Sequence, residues 1–310
     1  MKQLHEFKSL LEVFKTFSDE EKCYEYLKQL RWTDGKPTCP KCGSQHKIYL
    51  FSNKRTYSCT YCDRQFSIKV GTIFENSKIK LSKWFPAIYL ITSRKKGISS
   101  VQLGKDLGIT QSAAWFMLHR IRKALRQDFF NMIETTAEID ETFIGGKEKN
   151  KPTGKRTKKN QGRSTKTRIP IVGILTRRNK EVRAIRVDNT SKEQLHAFIL
   201  GNIFPDTKIM TDEWTGYKGL DKMYKHSVVK HKNEEYVRGE CHTNGIEGFW
   251  SLLKRGIIGV YHQMSKKHIE KYVDEFVFRY NTIRLSDCNR FYKALGQVNV
   301  RLRYDDLIQG

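Results

Sequence analysis

Thr136-Ala-Glu-Ile-Asp-Glu-Thr-Phe-Ile144 places Asp140 inside an apolar run of strand character. A second short run, Lys208-Ile-Met-Thr-Asp212, ends on another acid just before the turn-like Glu-Trp-Thr-Gly-Tyr217. An unpaired carboxylate in such surroundings is costly, so each acid needs a partner. A hard divalent cation, held by one or two carboxylates and a substrate phosphate, supplies one. A third acid, Glu247, lies in the helical stretch Thr243-Asn-Gly-Ile-Glu-Gly-Phe-Trp-Ser-Leu-Leu-Lys254, 35 residues beyond Asp212. Together Asp140, Asp212 and Glu247 raise the expectation of a metal-dependent site that cuts or joins nucleic acid.

The pattern around these acids predicts an α/β sheet. Ile139 and Phe143 fill the first strand. Ile169-Pro-Ile-Val-Gly-Ile-Leu175 is continuously apolar, as a strand buried on both faces would be, and Val182-Arg-Ala-Ile-Arg-Val187 alternates. A helix from about Ser191, with Leu195, Phe198 and Ile199 on one face, precedes a fourth strand at Ile209-Met210, and helices follow. Asp140 and Asp212 are expected to meet near the sheet centre. In the Glu247 helix, Asn244, Glu247, Ser251 and Lys254 share one arc, and Ile246, Phe249, Trp250 and Leu253 gather opposite. One face can then pack on the sheet while the other lines a site. A polar arc is ordinarily just solvated; here it stands in sequence beside two further acids. His242 and His262 flank the helix and read as structural.

Working toward the amino terminus, Cys39-Pro-Lys-Cys42 and Cys59-Thr-Tyr-Cys62 carry the spacing of a structural zinc ribbon, one Zn²⁺ closed by four thiolates. Metal-held thiolates imply a reducing compartment, hence the cytoplasm. Lys41, Lys47, Lys54 and Arg55 could reach phosphate from the ribbon. Cys23, Cys241 and Cys288 have no partner spacing and read as ordinary thiols. Ahead of the ribbon, Leu4, Phe7, Leu10, Leu11, Phe14 and Phe17 read as an amphipathic helix. Beyond it, an amphipathic segment opens at Leu81 and runs to about Ser93. A short helix then follows Ser99 or Ser100 and ends at Gly108, and a longer one starts at Thr110 or Ser112 with the stripe Ala114, Leu118, Ile121 and Leu125. That pair has the helix-turn-helix pattern and would offer Gln111, Ser112, Trp115, His119 and Arg122 to DNA.

The 310 residues leave room for two or three domains, and 58 Lys plus Arg against 33 Asp plus Glu give a formal charge of +25. Such a balance points to a polyanionic partner. No apolar run approaches the roughly 18 residues of a membrane span, and no h-region marks a signal peptide, so a membrane partner is not expected.

The words quoted above, with Ile139-Asp-Glu-Thr-Phe-Ile-Gly-Gly146, Thr211-Asp-Glu-Trp214, His242-Thr-Asn-Gly-Ile-Glu-Gly-Phe-Trp-Ser-Leu-Leu-Lys-Arg-Gly256, Tyr261-His262 and Phe278-Arg-Tyr-Asn281, resemble bacterial insertion-sequence transposases. The resemblance covers about residues 20 to 282. It implies a multidomain α/β chain: an N-terminal helical segment (1–35), a zinc ribbon (36–75), a helix-turn-helix DNA-binding region (80–130), an RNase H-like DDE domain with a mixed sheet flanked by helices (136–282), and a C-terminal tail (283–310). It further implies that Asp140 and Asp212 are the first two catalytic acids. Spacing favours Glu247 as the third member, whereas family usage favours Asn244 with Lys254 as a basic fourth; both readings stay open, with Glu247 preferred. Two Mg²⁺ (or Mn²⁺) ions per site, about 3.5–4 Å apart, would serve phosphoryl transfer on double-stranded DNA, at terminal inverted repeats and at a target. The resemblance also implies a homodimer or larger assembly on paired ends, in the cytoplasm at the nucleoid.

A DNA-binding regulator derived from such an enzyme would share the ribbon, the helix pair and the charge; the acids argue against it. An RNA-processing nuclease is disfavoured because nothing resembles an RNA module. Between the first two strands, residues 147–168 hold ten Lys or Arg and one acid, Glu148. Such a run is expected to be disordered without DNA and to clamp phosphates through residues such as Lys155, Arg156, Lys158 and Lys159. Deleting residues 149–166 should flatten the salt dependence of DNA binding, measured as log Kd against log salt concentration; an unchanged slope would refute the clamp.

Overall fold

The computed structural model describes residues 6–145, 154, 165, 168–229, 242–262 and 264–309. Lys155, Arg156, Lys158, Lys159 and Cys241 lie outside the described residues. The chain forms two compact units, Met1–Leu125 with Arg284–Gly310, and Arg126–Ile283. The second unit is thus inserted in the sequence of the first. Among the described residues no helix is long and apolar enough to cross a membrane.

The first unit begins with α1 (Leu10–Thr16) and α2 (Glu20–Arg31). α1 lies within the stretch from Leu4 to Phe17 read as an amphipathic helix; Asp19, whose carboxylate accepts from the Glu21 N–H, then opens a further helix, α2. The ribbon follows as an antiparallel sheet of β1 (Ile48–Leu50), β2 (Thr56–Cys59) and β3 (Arg64–Ser67). Tyr57 stacks on Phe66 and meets Trp32 edge-on beneath it. α3 (Leu81–Ser93) departs from its amphipathic expectation: every residue from Trp84 to Thr92 is buried, as suits the central helix of this unit. Glu20 reaches across from α2 and accepts from the Leu81 and Ser82 N–H groups, both at 3.0 Å, capping α3.

α4 (Ser100–Leu107) is capped by Ser99 and ends at Gly108 in the left-handed region, φ 57°; α5 (Gln111–Leu125) follows at once. Gln111 and Ser112 are exposed and Trp115 is half-buried, but His119 and Arg122 are buried, which corrects their expected DNA-facing position. The inward face of α5 is wider than the apolar stripe, and these two flank it; the Trp115 ring sits 4.4 Å from that of His119. The C-terminal residues close this unit with α9 (Asp287–Gly296) and α10 (Tyr304–Gln309). The Arg120 guanidinium donates to the carbonyls of Ile73, Glu75 and Leu302, and Arg290 donates to Thr92.

The second unit is built on a five-stranded sheet in the order β6-β5-β4-β7-β8. β4 (Ala137–Ile144) pairs antiparallel with β5 (Ile169–Thr176), which pairs antiparallel with β6 (Val182–Arg186). On its other side β4 runs parallel to β7 (Lys208–Asp212), which runs parallel to β8 (Lys225–Val229). Helices were expected directly after β7; β8 was not, because its apolar residues come only at its end. α6 (Lys192–Leu200) covers one face through Leu195, Phe198 and Ile199. α7 (Asn244–Gly256) and α8 (Ile269–Asn281) cover the other.

Two of the sequence words prove to be connectors. The Asn281 side chain accepts from the Val182 N–H at 2.7 Å and donates to its carbonyl at 2.9 Å, holding the start of β6. Tyr261 donates to buried Glu275 at 2.6 Å, as does Arg279 at 2.8 Å.

On α8, burial, reinforced by Glu270, pushes the Asp274 carboxyl up to about 7 against the pull of Arg126 and Lys271. The folded state keeps this proton to higher pH than the unfolded chain, so the stability it contributes is present below the ordinary Asp range and is lost as pH rises through about 7. Asp274→Asn should therefore raise the unfolding midpoint near pH 8 by a few degrees while changing it little below the ordinary Asp range, with an intermediate effect between, measured by thermal melts across pH.

Candidate active site and metal centres

Alternation along β4 sends Glu138, Asp140 and Thr142 toward α7 and sends Ile139 and Glu141 toward the α6 side. The β4–β7 ladder has its last pair at Glu138↔Met210. Two residues further along each strand, level with one another, stand Asp140 and Asp212. There β7 ends, and the Asp212 carboxylate accepts the Trp214 N–H at 3.0 Å, turning the chain away. The opened seam collects carboxylates: ligand oxygens of Asp140, Glu141 and Asp212 all lie within 4.8 Å of one another.

Neutral donors hold these acids in place. Trp250 Nε1 donates to Asp140 at 3.0 Å, and the Tyr217 hydroxyl donates to buried Glu141 at 2.5 Å. These hydrogen bonds orient the carboxylates, and carboxylates this close repel one another. An all-oxygen donor set of this kind suits a hard divalent cation, Mg²⁺ or Mn²⁺. A cleft of about 400 Å³ opens beside Asp140, lined by Glu141, Thr142 and, from the helix side, Glu247, Trp250, Ser251, Lys254, Arg255 and Ile258. It therefore places a carboxylate wall opposite a wall that carries two cations.

The packing that brings α7 here depends on absent side chains. Gly173 sits directly across β5 from Asp140, and a Cβ there would come within 2.8 Å of the Trp250 ring. Gly256 likewise admits the Phe276 ring, whose Cζ would be 2.0 Å from an added Cβ. Ile246, Phe249, Trp250 and Leu253 are buried against the sheet, and the opposite arc of the helix faces out.

In the ribbon, the sulfurs of Cys39, Cys42, Cys59 and Cys62 also lie within 4.8 Å of one another, with Cys39–Cys62 and Cys42–Cys59 each at 3.7 Å. A tetrahedral zinc with Zn–S of about 2.3 Å has sulfur–sulfur edges of about 3.8 Å, so the four thiols fit that ion. Burial works to raise the Cys39 thiol, but the N–H groups of Lys41 and Cys42 and the neighbouring thiols outweigh it and bring it down to about 7, whereas burial and the neighbouring thiols push Cys62 up to about 12. Four thiolates this close require a cation before all can ionise.

Residues 132–281 match the family model of the ISXO2-like transposase domain, and residues 18–65 match that of the transposase zinc-ribbon domain. The chain thus carries an ISXO2-like transposase domain behind a transposase zinc ribbon. An uncharacterized protein in transposable element ISH50 of Halobacterium salinarum is 28% identical over 280 residues, covering 87% of this chain and 94% of that protein. An uncharacterized transposase-like protein of Haemophilus influenzae is 28% identical over 116 residues, 37% of this chain and 93% of its own length.

Against this transposase background, the structure brings Asp140 and Asp212 together and sets Glu247 and Lys254 on the wall of the adjoining cleft. Glu247 stands apart from the acid cluster: it is exposed, and its carboxylate accepts from the Thr243 hydroxyl at 2.9 Å. Asn244, exposed at the first position of α7, is not among the residues lining that cleft. Sequence reasoning passed over Glu141, Tyr217 and Trp250 as site residues, and also Glu138. The signal was available for both glutamates, because the cost argument applied to Asp140 holds for every acid in the same run.

Gly173→Ala should destabilise the second unit by about 1–3 kcal/mol through overpacking against Trp250. Urea denaturation measures it, and an unchanged midpoint would show that the indole under Asp140 is free to move.

Proposed function

We propose that this chain is a DNA transposase that binds the ends of its insertion sequence and catalyses metal-dependent strand cleavage and strand transfer. The observation that carries this reading is the carboxylate cluster at the opened β4–β7 seam, inside the matched ISXO2-like domain and beside the Lys254-bearing face of α7. Three antiparallel strands continued by two parallel ones, with acids on the central strand and its parallel neighbour, support reading this unit as RNase H-like. The close α4–α5 pair, turning at Gly108, supports a helix-turn-helix that offers Gln111, Ser112 and Trp115 to DNA.

Asp140 and Asp212 would hold the metal, with Glu247 as the third carboxylate. Of the two α7 candidates, Glu247 lines the cleft with Asp140, and Asn244 remains the alternate position. Bound there, two Mg²⁺ or Mn²⁺ ions would supply Lewis-acid stabilisation of charge on the phosphate and on the attacking and leaving oxygens. The chain's own groups do the rest. Lys254 and Arg255 bind the phosphate of the element end, Trp250 fixes the Asp140 carboxylate, and Tyr217 fixes Glu141. Water attacks phosphorus as the DNA 3′-oxygen leaves and takes up a proton; the freed 3′-hydroxyl then attacks a phosphate of target DNA. A new P–O bond forms as the target strand's own P–O3′ bond breaks, and its 3′-oxygen leaves with the proton that the attacking hydroxyl gives up. No covalent bond to the protein forms. The thiolate ribbon holds one structural Zn²⁺, which favours a reducing, cytoplasmic setting at the nucleoid. Two ends must be joined in one event, which favours a homodimer or larger assembly.

Asp140→Ala should abolish Mg²⁺-dependent cleavage of end DNA while leaving its affinity for that DNA within about two-fold, since one acid contributes little to phosphate-dominated binding. Gel assays of cleavage and binding, with RNA of matching sequence as control, measure both. Parent-like cleavage by the variant would overturn the assignment. End binding with no cleavage by the parent chain itself would make it a regulator.

A further inference from the structure

Glu138 lies two residues before Asp140 on the same face of β4 and is completely buried. A carboxylate in that position must be neutralised by what surrounds it. The surroundings are specific. Arg177 Nε donates to Oε1 at 2.8 Å. The backbone N–H groups of Gly245 and Ile246, in the first turn of α7, donate to Oε2 at 2.8 and 3.1 Å. The same Arg177 donates to the His242 carbonyl at 2.7 Å, and His242 Nδ1 lies 3.4 Å from Oε1. The N-cap residue of α7, Thr243, makes no side-chain bond to the helix backbone, so the cap comes from the sheet. Gly245 is part of the fit: a Cβ there would stand 2.8 Å from Glu138 Oε2.

We infer that Glu138 is a positioning residue for the reaction, a carboxylate on the central strand that pins the amino end of α7 at a fixed height above Asp140. This rests on the function proposed above. Glu138 touches neither DNA nor metal. It acts through α7, which carries Glu247, Trp250, Ser251, Lys254 and Arg255 along the cleft, and through Trp250, which returns to Asp140. The strand therefore carries both the acid of the site and, one pleat away, the anchor of the opposing wall. A shift of α7 along its axis would move Lys254 relative to Asp140 and unseat the indole, and a misplacement of about 1 Å can cost about 100-fold in rate.

Three measurements test it. In the parent chain, hydrogen exchange at the Gly245 and Ile246 amides should be slowed to the level of the β5 amides; exchange at the rate of a frayed helix end would overturn the clamp without reference to catalysis. Glu138→Gln removes the charge, whereas Gly245→Ala displaces the carboxylate and leaves every charge in place. In both variants kcat for cleavage of end DNA should fall about 10- to 100-fold, with the Mg²⁺ concentration at half-maximal rate raised and KM for DNA changed less than about two-fold. Parent-like kcat in a folded variant, or a loss confined to KM, would overturn the proposal. If Glu138→Gln does not fold, Gly245→Ala and the exchange rates decide. If Asp140→Ala still cleaves, the functional reading fails, and the exchange result still reports on the clamp alone.

Discussion

Burial of carboxylates on one central strand is the constraint from which the second unit takes its form. β4 is enclosed by β5 and β7 at its edges and by helices on both faces, yet within four residues it carries Glu138, Asp140 and Glu141. Each needs compensation, and each finds a different kind. Glu138 takes a guanidinium and two helix N–H groups. Glu141 takes a phenol. Asp140, half-buried at the seam, takes an indole N–H and is left beside Asp212, where a cation fits. The first arrangement sets a guanidinium against the carboxylate, and the last sets carboxylates side by side at the cleft. That contrast separates an anchor from a site within a single strand.

The same device appears in the first unit, where Glu20 caps α3 from α2 much as Glu138 caps α7 from β4. In both, a helix without a side-chain cap of its own is located by a carboxylate borrowed from another element. A local cap ends a helix but leaves its place in the fold undetermined. A borrowed cap does both, because the N–H groups are satisfied only when the two elements are docked. Gly245 and Gly173 serve the same docking from below, giving the space that Glu138 and Trp250 occupy.

Much of this was legible in the chain because periodicity reports on burial. The strands Ile169–Thr176 and Lys208–Asp212, the two faces of α7 and the side-by-side placement of Asp140 and Asp212 follow from runs and spacings alone. The thiol cluster follows from two Cys-x-x-Cys words. What escaped has physical reasons. Arg177 is 39 residues from Glu138, and no local pattern couples them. β8 has too little apolar content to announce itself and is held by pairing with β7. His119 and Arg122 were assigned outward because they are polar; burial on a long helix with a wide inward face overrode polarity.

The C-terminal residues show the limit of reading by motif. Residues 284–310 carry no word with chemistry in it, yet the Ile73 N–H donates to Val298, Arg120 donates to Leu302, and Lys123 donates to the Arg301 carbonyl. All three are backbone acceptors. The tail's side chains hold it too: Phe291 packs against Phe7, Phe17 and Phe85, and Arg290 donates to the Thr92 carbonyl, contacts between residues so far apart in sequence that no local pattern announces them. The first unit is accordingly completed only once residues 284–310 have been added, after the whole of the second unit's sequence, and its Arg120 guanidinium donates both to the segment ahead of α3, at Ile73 and Glu75, and to the tail, at Leu302.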